Sequence, residues 1–178
     1  MTDPRRENDA LRGDAPGRAP LRVEISRNPG ADDLPLPTRA TPGSSGYDLH
    51  AAVEGEVVIA AGERVLIATG FSIAVPSGHE AQIRPRSGLA LSHGILLPNA
   101  PGTIDADYRG ELKVIVMNAG ERSFVIRRGD RIAQLVIAPV SAAEWCEVAE
   151  LSPTGRGAGG FGHTGRGAAD SGPETEYE

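Results

Sequence analysis

Two carboxylates stand one residue apart in NAPGTIDADYRG, at Asp105 and Asp107. A carboxylate within hydrogen-bond reach of a water can serve as general base for attack on a phosphate. Both residues are equally good turn formers, and spacing alone does not choose between the two uses. A second segment, RPRSGLA at 84–90, offers the Arg86 guanidinium, the Ser87 hydroxyl and successive backbone N–H groups through Gly88. That set suits phosphate oxygens, and Ser87 as the cap of a short helix is the competing reading. A third, GRGAGGFGHTG at 155–165, fits G-x-G-x-x-G from Gly155 and again from Gly157. The pattern binds dinucleotides only between a strand and a helix of a larger βαβ unit. The thirteen residues after Gly165 leave no room for one. No Lys-Ser/Thr pair follows the glycines, so this is not a P-loop. Composition alone reads the stretch as a disordered tail, which leaves Phe161 unexplained.

The chemistry open to these segments is bounded by the rest of the chain. Its 178 residues suffice for one domain and are tight for two. A hydrophobic content of 39% permits a real core, and 23 glycines with 14 prolines favour turns over long helices. The single cysteine, Cys146, rules out an internal disulfide framework. Four histidines and that cysteine show no zinc-ligand spacing. A net charge of −6 lacks the basic footprint of a nucleic-acid binder, so a polyphosphate ligand must be held by a few placed cations and backbone amides, or bring its own metal. No apolar run approaches a membrane span, and the N-terminus lacks the apolar stretch of a signal peptide. These features predict a cytoplasmic protein without a membrane partner. RGD occurs at 12–14 and 128–130; the second copy reads as a turn between the apolar runs SFVI and RIAQLVIAPV.

The elements that must position these residues are short and β-like. Residues 1–20 are polar and aperiodic and read as disordered. Then come LRVEI, GEVVIA, RVLIATG, FSIAV, EAQIRP, ELKVIVMN, RSFVI, RIAQLVIAPV and EWCEVAE, rich in Val and Ile and separated by Gly, Pro, Ser or Asn. This rhythm predicts a sandwich or barrel of mostly antiparallel strands. One short helix is expected at SGLALS after Pro85, weakened by Gly88. NAPGTIDADYRG reads as a β-hairpin with a tip of Pro, Gly and Asp, and Tyr108 as a strand aromatic. Asp48 follows a turn and opens a strand; Gln134 reads as an outward-facing polar strand residue.

Five segments interrupt the β pattern: GSSGYDLHA (43–51), RPRSGLA (84–90), NAPGTIDADYRGELKV (99–114), RGDRIAQL (128–135) and the glycine-rich tail. In their order and spacing they resemble the five motifs of the trimeric deoxyuridine triphosphate nucleotidohydrolases, the dUTPases, over residues 21–165. The resemblance implies an all-β, jelly-roll-like antiparallel sandwich or barrel with one short helix, forming a homotrimer that exchanges its C-terminal arm. It divides the chain into a disordered extension (1–20), the β-domain (21–151), a flexible active-site lid (152–165) and an acidic extension (166–178). It implies hydrolysis of dUTP to dUMP and diphosphate, with Mg²⁺ held mainly by the substrate phosphates and no organic cofactor. Asp105, not Asp107, falls on the family's catalytic base. Arg86, Ser87, Gly88 and Gln134 fall on the phosphate contacts. Asn99 and the backbone of Thr103, Ile104 and Asp105 fall on the uracil readout, with Lys113 at the pocket edge. Tyr108 would pack on the deoxyribose and exclude a 2′-hydroxyl. Asp48 would orient the metal through water. Arg156, Gly160, Phe161 and Gly162 belong to a lid in which Phe161 stacks on uracil, a contact worth about 1–3 kcal/mol, and Arg156 reaches the γ-phosphate. His163 stands where relatives also carry serine, and a phosphate or backbone contact is its modest reading. Each site would draw on three chains.

Two other readings share the fold. In a dCTP deaminase the catalytic glutamate would align with Ile115, and an apolar residue there opposes deamination. A regulatory nucleotide-binding module would have lost the base or the tail, and both are present here.

Overall fold

Burial alternates residue by residue along ELKVIVMN. In the computed structural model, which describes residues 20–160, this stretch is strand β8 (Glu111–Asn118), with Leu112, Val114, Val116 and Asn118 buried. Ten strands and one helix occur among the described residues. β1 is Glu24–Arg27, β2 Tyr47–His50, β3 Val57–Ile59, β4 Arg64–Ala74 and β5 His79–Arg84. Helix α1 (Ser87–His93) leads to β6 (Ile95–Leu96) and β7 (Gly102–Ile104). After β8 come β9 (Phe124–Ile126) and β10 (Arg131–Pro139).

Two four-stranded sheets, β1-β4-β8-β6 and β2-β10-β5-β7, and a small β3-β9 pair make up the architecture, and every strand pairing is antiparallel. The inward-facing residues of both large sheets, among them Ile67, Leu112 and Val114 from one and Leu49, Ile83 and Leu135 from the other, share one hydrophobic core. Truncating Leu112, which is fully buried, to alanine would cost about 2–5 kcal/mol. The expected all-β sandwich with one short helix is the observed fold.

RVLIATG and FSIAV are one strand rather than two. β4 runs through Gly70, where the register with β8 shifts between Ala68 and Ser72 and φ is +78°. A Cβ there would collide with Ala31, so only glycine fits. Thr69 and Phe71 are consequently both buried; Phe71 joins Ala31 and Leu34 in a second small cluster.

Two other expectations are corrected. NAPGTIDADYRG is not a β-hairpin: β7 pairs with β5 while β8 pairs with β4 and β6. Residues 105–110 carry the chain from one sheet to the other, and turn chemistry by itself does not say which strand each arm will join. EWCEVAE forms no strand. β-propensity expresses fit to a pleated, half-buried surface, and among the described residues Trp145 is 94% exposed. The chain divides at Ala142/Ala143 into two compact units. In the described part of the second, Gly157 N–H donates to Thr154 O in a turn, and Arg156 Nε donates to Gly159 O at 2.8 Å.

Candidate active site

β10 lies between β2 and β5, and its register places Gln134 opposite both Asp48 and Arg84. This brings three polar segments, distant in sequence, to one region of one sheet. They line a cavity of about 490 Å³. Asp48, Arg86, Ser87, Gly88 and Gln134 all face it, so the structure assembles five of the residues expected to meet phosphate or metal. Gly46, Ser44, Ser45 and His93 line it as well.

The cavity is organised by charge. Asp48 Oδ1 meets Arg86 Nε at 3.1 Å, and Asp48 Oδ2 meets Arg131 at 3.1 Å. Arg86 also donates to the Arg131 carbonyl at 3.1 Å, which fixes its guanidinium plane. Two guanidiniums against one carboxylate leave excess positive charge, as an anion requires. Arg131 was not singled out in the sequence; its place two residues after Gly129 in the RGDRIAQL segment was the available signal.

Gln134 is held in the same manner. Its Nε2 donates to Pro85 O at 2.8 Å, tying β10 to the start of the Arg86–Gly88 segment. The side chain lies flat over Gly46, where a Cβ would sit 2.9 Å from Gln134 Cδ and 3.0 Å from its Cβ. Gln134 is therefore a half-buried bridging residue on β10 that lines the cavity. Ser87 is not a helix cap: the N-cap position of α1 falls on Arg86, without a side-chain capping bond. The Ser87 hydroxyl is exposed, and the first N–H groups of a helix have no acceptor within it.

At the end of β2, two residues after Asp48, His50 Nδ1 is buried without a hydrogen-bond partner among the described residues. Burial holds its pKa below the usual 6.5; Asp48 opposes that shift, and Arg131 and Arg86 reinforce it.

The second set of expected residues, Asn99, Thr103, Ile104, Asp105, Tyr108 and Lys113, does not line this cavity. It follows the chain through β7, the 105–110 connection and β8. Asp105 is exposed and its carbonyl accepts from Tyr108 N–H at 3.1 Å. Tyr108 lies in the connection, 42% exposed, and not in a strand. Asn99 packs against Gly102, and Lys113 pairs with Glu111 at 3.7 Å on β8. Arg156 and Gly160 lie in the second unit. Phe161, Gly162 and His163 lie outside the described residues.

Among the described residues no three His, Cys, Asp or Glu side chains cluster as a metal cage, and no helix is long and apolar enough to cross a membrane.

A family profile described as dUTPase matches residues 32–165. A deoxyuridine 5'-triphosphate nucleotidohydrolase of Anaplasma marginale (strain St. Maries) is 54% identical over 145 residues, covering 82% of this chain and 99% of the relative. Among solved structures, the dUTPase of Staphylococcus bacteriophage 80alpha with dUPNHPP superposes with a TM-score of 0.73 at 27% identity, over 81% of this chain and 98% of that one. A variant of the same phage enzyme, with dUpNHpp, gives 0.73 at 26% identity with the same coverage.

Proposed function

The chain belongs to the dUTPase family, and from that membership we propose that its cationic cavity holds the triphosphate of dUTP while Asp105 directs water at the α-phosphorus. The protein hydrolyses dUTP to dUMP and diphosphate. The observation that carries the site reading is Arg86, ordered by an Asp48 that also pairs with Arg131, which presents fixed positive charge beside Ser87, Gly88 and Gln134.

In the proposed reaction Asp105 accepts a proton from a water whose oxygen forms the new bond to the α-phosphorus. The bond from that phosphorus to the α,β-bridging oxygen breaks, and its electron pair leaves on diphosphate. Arg86, the Ser87 hydroxyl and the Gly88 N–H stabilise the charge that develops there. Gln134 has two amide hydrogens; one serves Pro85, and the other is available to a phosphate oxygen.

The fit of a divalent cation is decided by the donor set. Asp48 already serves two arginines and no protein cage exists among the described residues. That suits Mg²⁺, which keeps its waters and binds chiefly through substrate phosphates; Asp48 would orient it through one of those waters. When bound, the ion neutralises triphosphate charge. Uracil is read by Asn99 and the backbone of Thr103, Ile104 and Asp105, with Lys113 at the edge; a site pairing with uracil leaves polar groups unpaired against cytosine. Tyr108 is the wall against a 2′-hydroxyl.

The base-bearing segment does not line the phosphate cavity of its own chain, which supports a homotrimer whose sites combine segments from three chains. Arg156, Gly160, Phe161 and Gly162 supply the closing tail in this reading.

Incubation with dUTP, dCTP, dTTP and UTP in the presence of Mg²⁺, followed by product chromatography, tests the substrate class. Diphosphate from dUTP alone is expected. Ammonia from dCTP would instead point to deamination, which Ile115 opposes.

A further inference from the structure

Gly110 is exposed and does not adopt a positive φ, so the backbone there accepts any residue. What restricts it is Tyr108. A Cβ built on Gly110 would lie 2.6 Å from Tyr108 Cζ and 3.0 Å from Cε2, whereas carbon atoms pack at about 3.5–4.0 Å. The tyrosine ring thus lies directly on the glycine. It is pinned there from both ends: Tyr108 Oη donates to Glu111 O at 3.0 Å, and Tyr108 N–H donates to Asp105 O at 3.1 Å. Arg109 clasps the same turn, donating to the carbonyls of Ala106 and Tyr108, both at 2.7 Å.

We infer that Gly110 is a specificity-determining position: its missing side chain is the seat that holds the Tyr108 ring where it excludes a ribose 2′-hydroxyl. This rests on the reading of Tyr108 as the sugar wall and adds the residue that places it. Any side chain at 110 displaces the ring by about 1 Å and breaks its bond to the Glu111 carbonyl. A displacement of that size in a positioning group carries large kinetic effects. Gly110 is a positioning residue and touches no substrate.

The test compares kcat/KM for dUTP and UTP, with Mg²⁺, in four full-length proteins: the native chain, Gly110→Ala, Tyr108→Ala and the double variant. The dUTP/UTP ratio is expected to fall about tenfold in Gly110→Ala, and the double variant to match Tyr108→Ala, because alanine at 110 has nothing left to displace. A merely structural role would lower both substrates alike and leave the ratio unchanged. An unchanged or raised ratio in Gly110→Ala, beside a lowered one in Tyr108→Ala, overturns the inference and leaves the sugar wall standing. A ratio untouched by Tyr108→Ala removes the wall, and the inference with it. Should Gly110→Ala alone not fold, the double variant decides: folding with the Tyr108→Ala ratio upholds the inference, and failure to fold overturns it.

Discussion

Asp48 holds Arg86. Its Oδ1 meets the guanidinium Nε at 3.1 Å, and its other oxygen takes Arg131, so one carboxylate orders the cavity-lining Arg86 together with Arg131. The pair joins β2 to the segment after β5 across β10, and the anion site depends on that span.

Asp48→Asn should therefore act through Arg86. A lost hydrogen bond to a charged group is worth about 1.5–3 kcal/mol, so kcat/KM should fall roughly 10–100-fold, mostly as raised KM. Titration with Mg²⁺ separates this from a metal role. Excess Mg²⁺ is expected to recover little of the loss, and full recovery would make Asp48 a metal residue first.

Asp105→Asn should keep nucleotide binding and lower turnover by about 10²–10⁴, the usual worth of a positioned base. Asp107→Asn should do far less. Steady-state rates with dUTP and equilibrium binding of a non-hydrolysable analogue measure both. Equal losses from the two substitutions would remove the assignment of the base.

His50 ties stability to pH. Burial keeps its folded pKa below the usual 6.5, so at this site the native state binds fewer protons than the unfolded chain. Below the unfolded pKa the unfolded state takes up protons first, and stability falls as pH falls; above it the site is silent. Melting temperatures from about pH 8 to about pH 5 should drop less steeply in His50→Gln than in the native protein. Identical slopes would place the acid sensitivity elsewhere.

How far the sequence reaches is seen residue by residue. The β class and the helix after Pro85 follow from periodicity and punctuation, which are local. Asp48, Arg86, Ser87, Gly88 and Gln134 could be proposed because their motifs are recognisable, but their convergence depends on β10 lying between β2 and β5, a long-range pairing. Arg131 and Gly46 escaped notice because their roles exist only across that sheet: one binds Asp48, the other leaves room for Gln134. The hairpin expected over NAPGTIDADYRG fails for the same reason. Its residues favour a turn in either case, and the sheet each arm joins is decided by the core. Trp145 and its neighbours show the opposite failure, in which strand-forming residues have no strand partner among the described residues.

In the proposed reaction, water positioned by Asp105 attacks the α-phosphorus of dUTP. Turnover of dUTP in ¹⁸O-labelled water, with the products resolved by mass spectrometry, reads the attacked atom directly. The label is expected in dUMP, with unlabelled diphosphate released. Label in diphosphate would place the attack on the β-phosphorus and contradict the account.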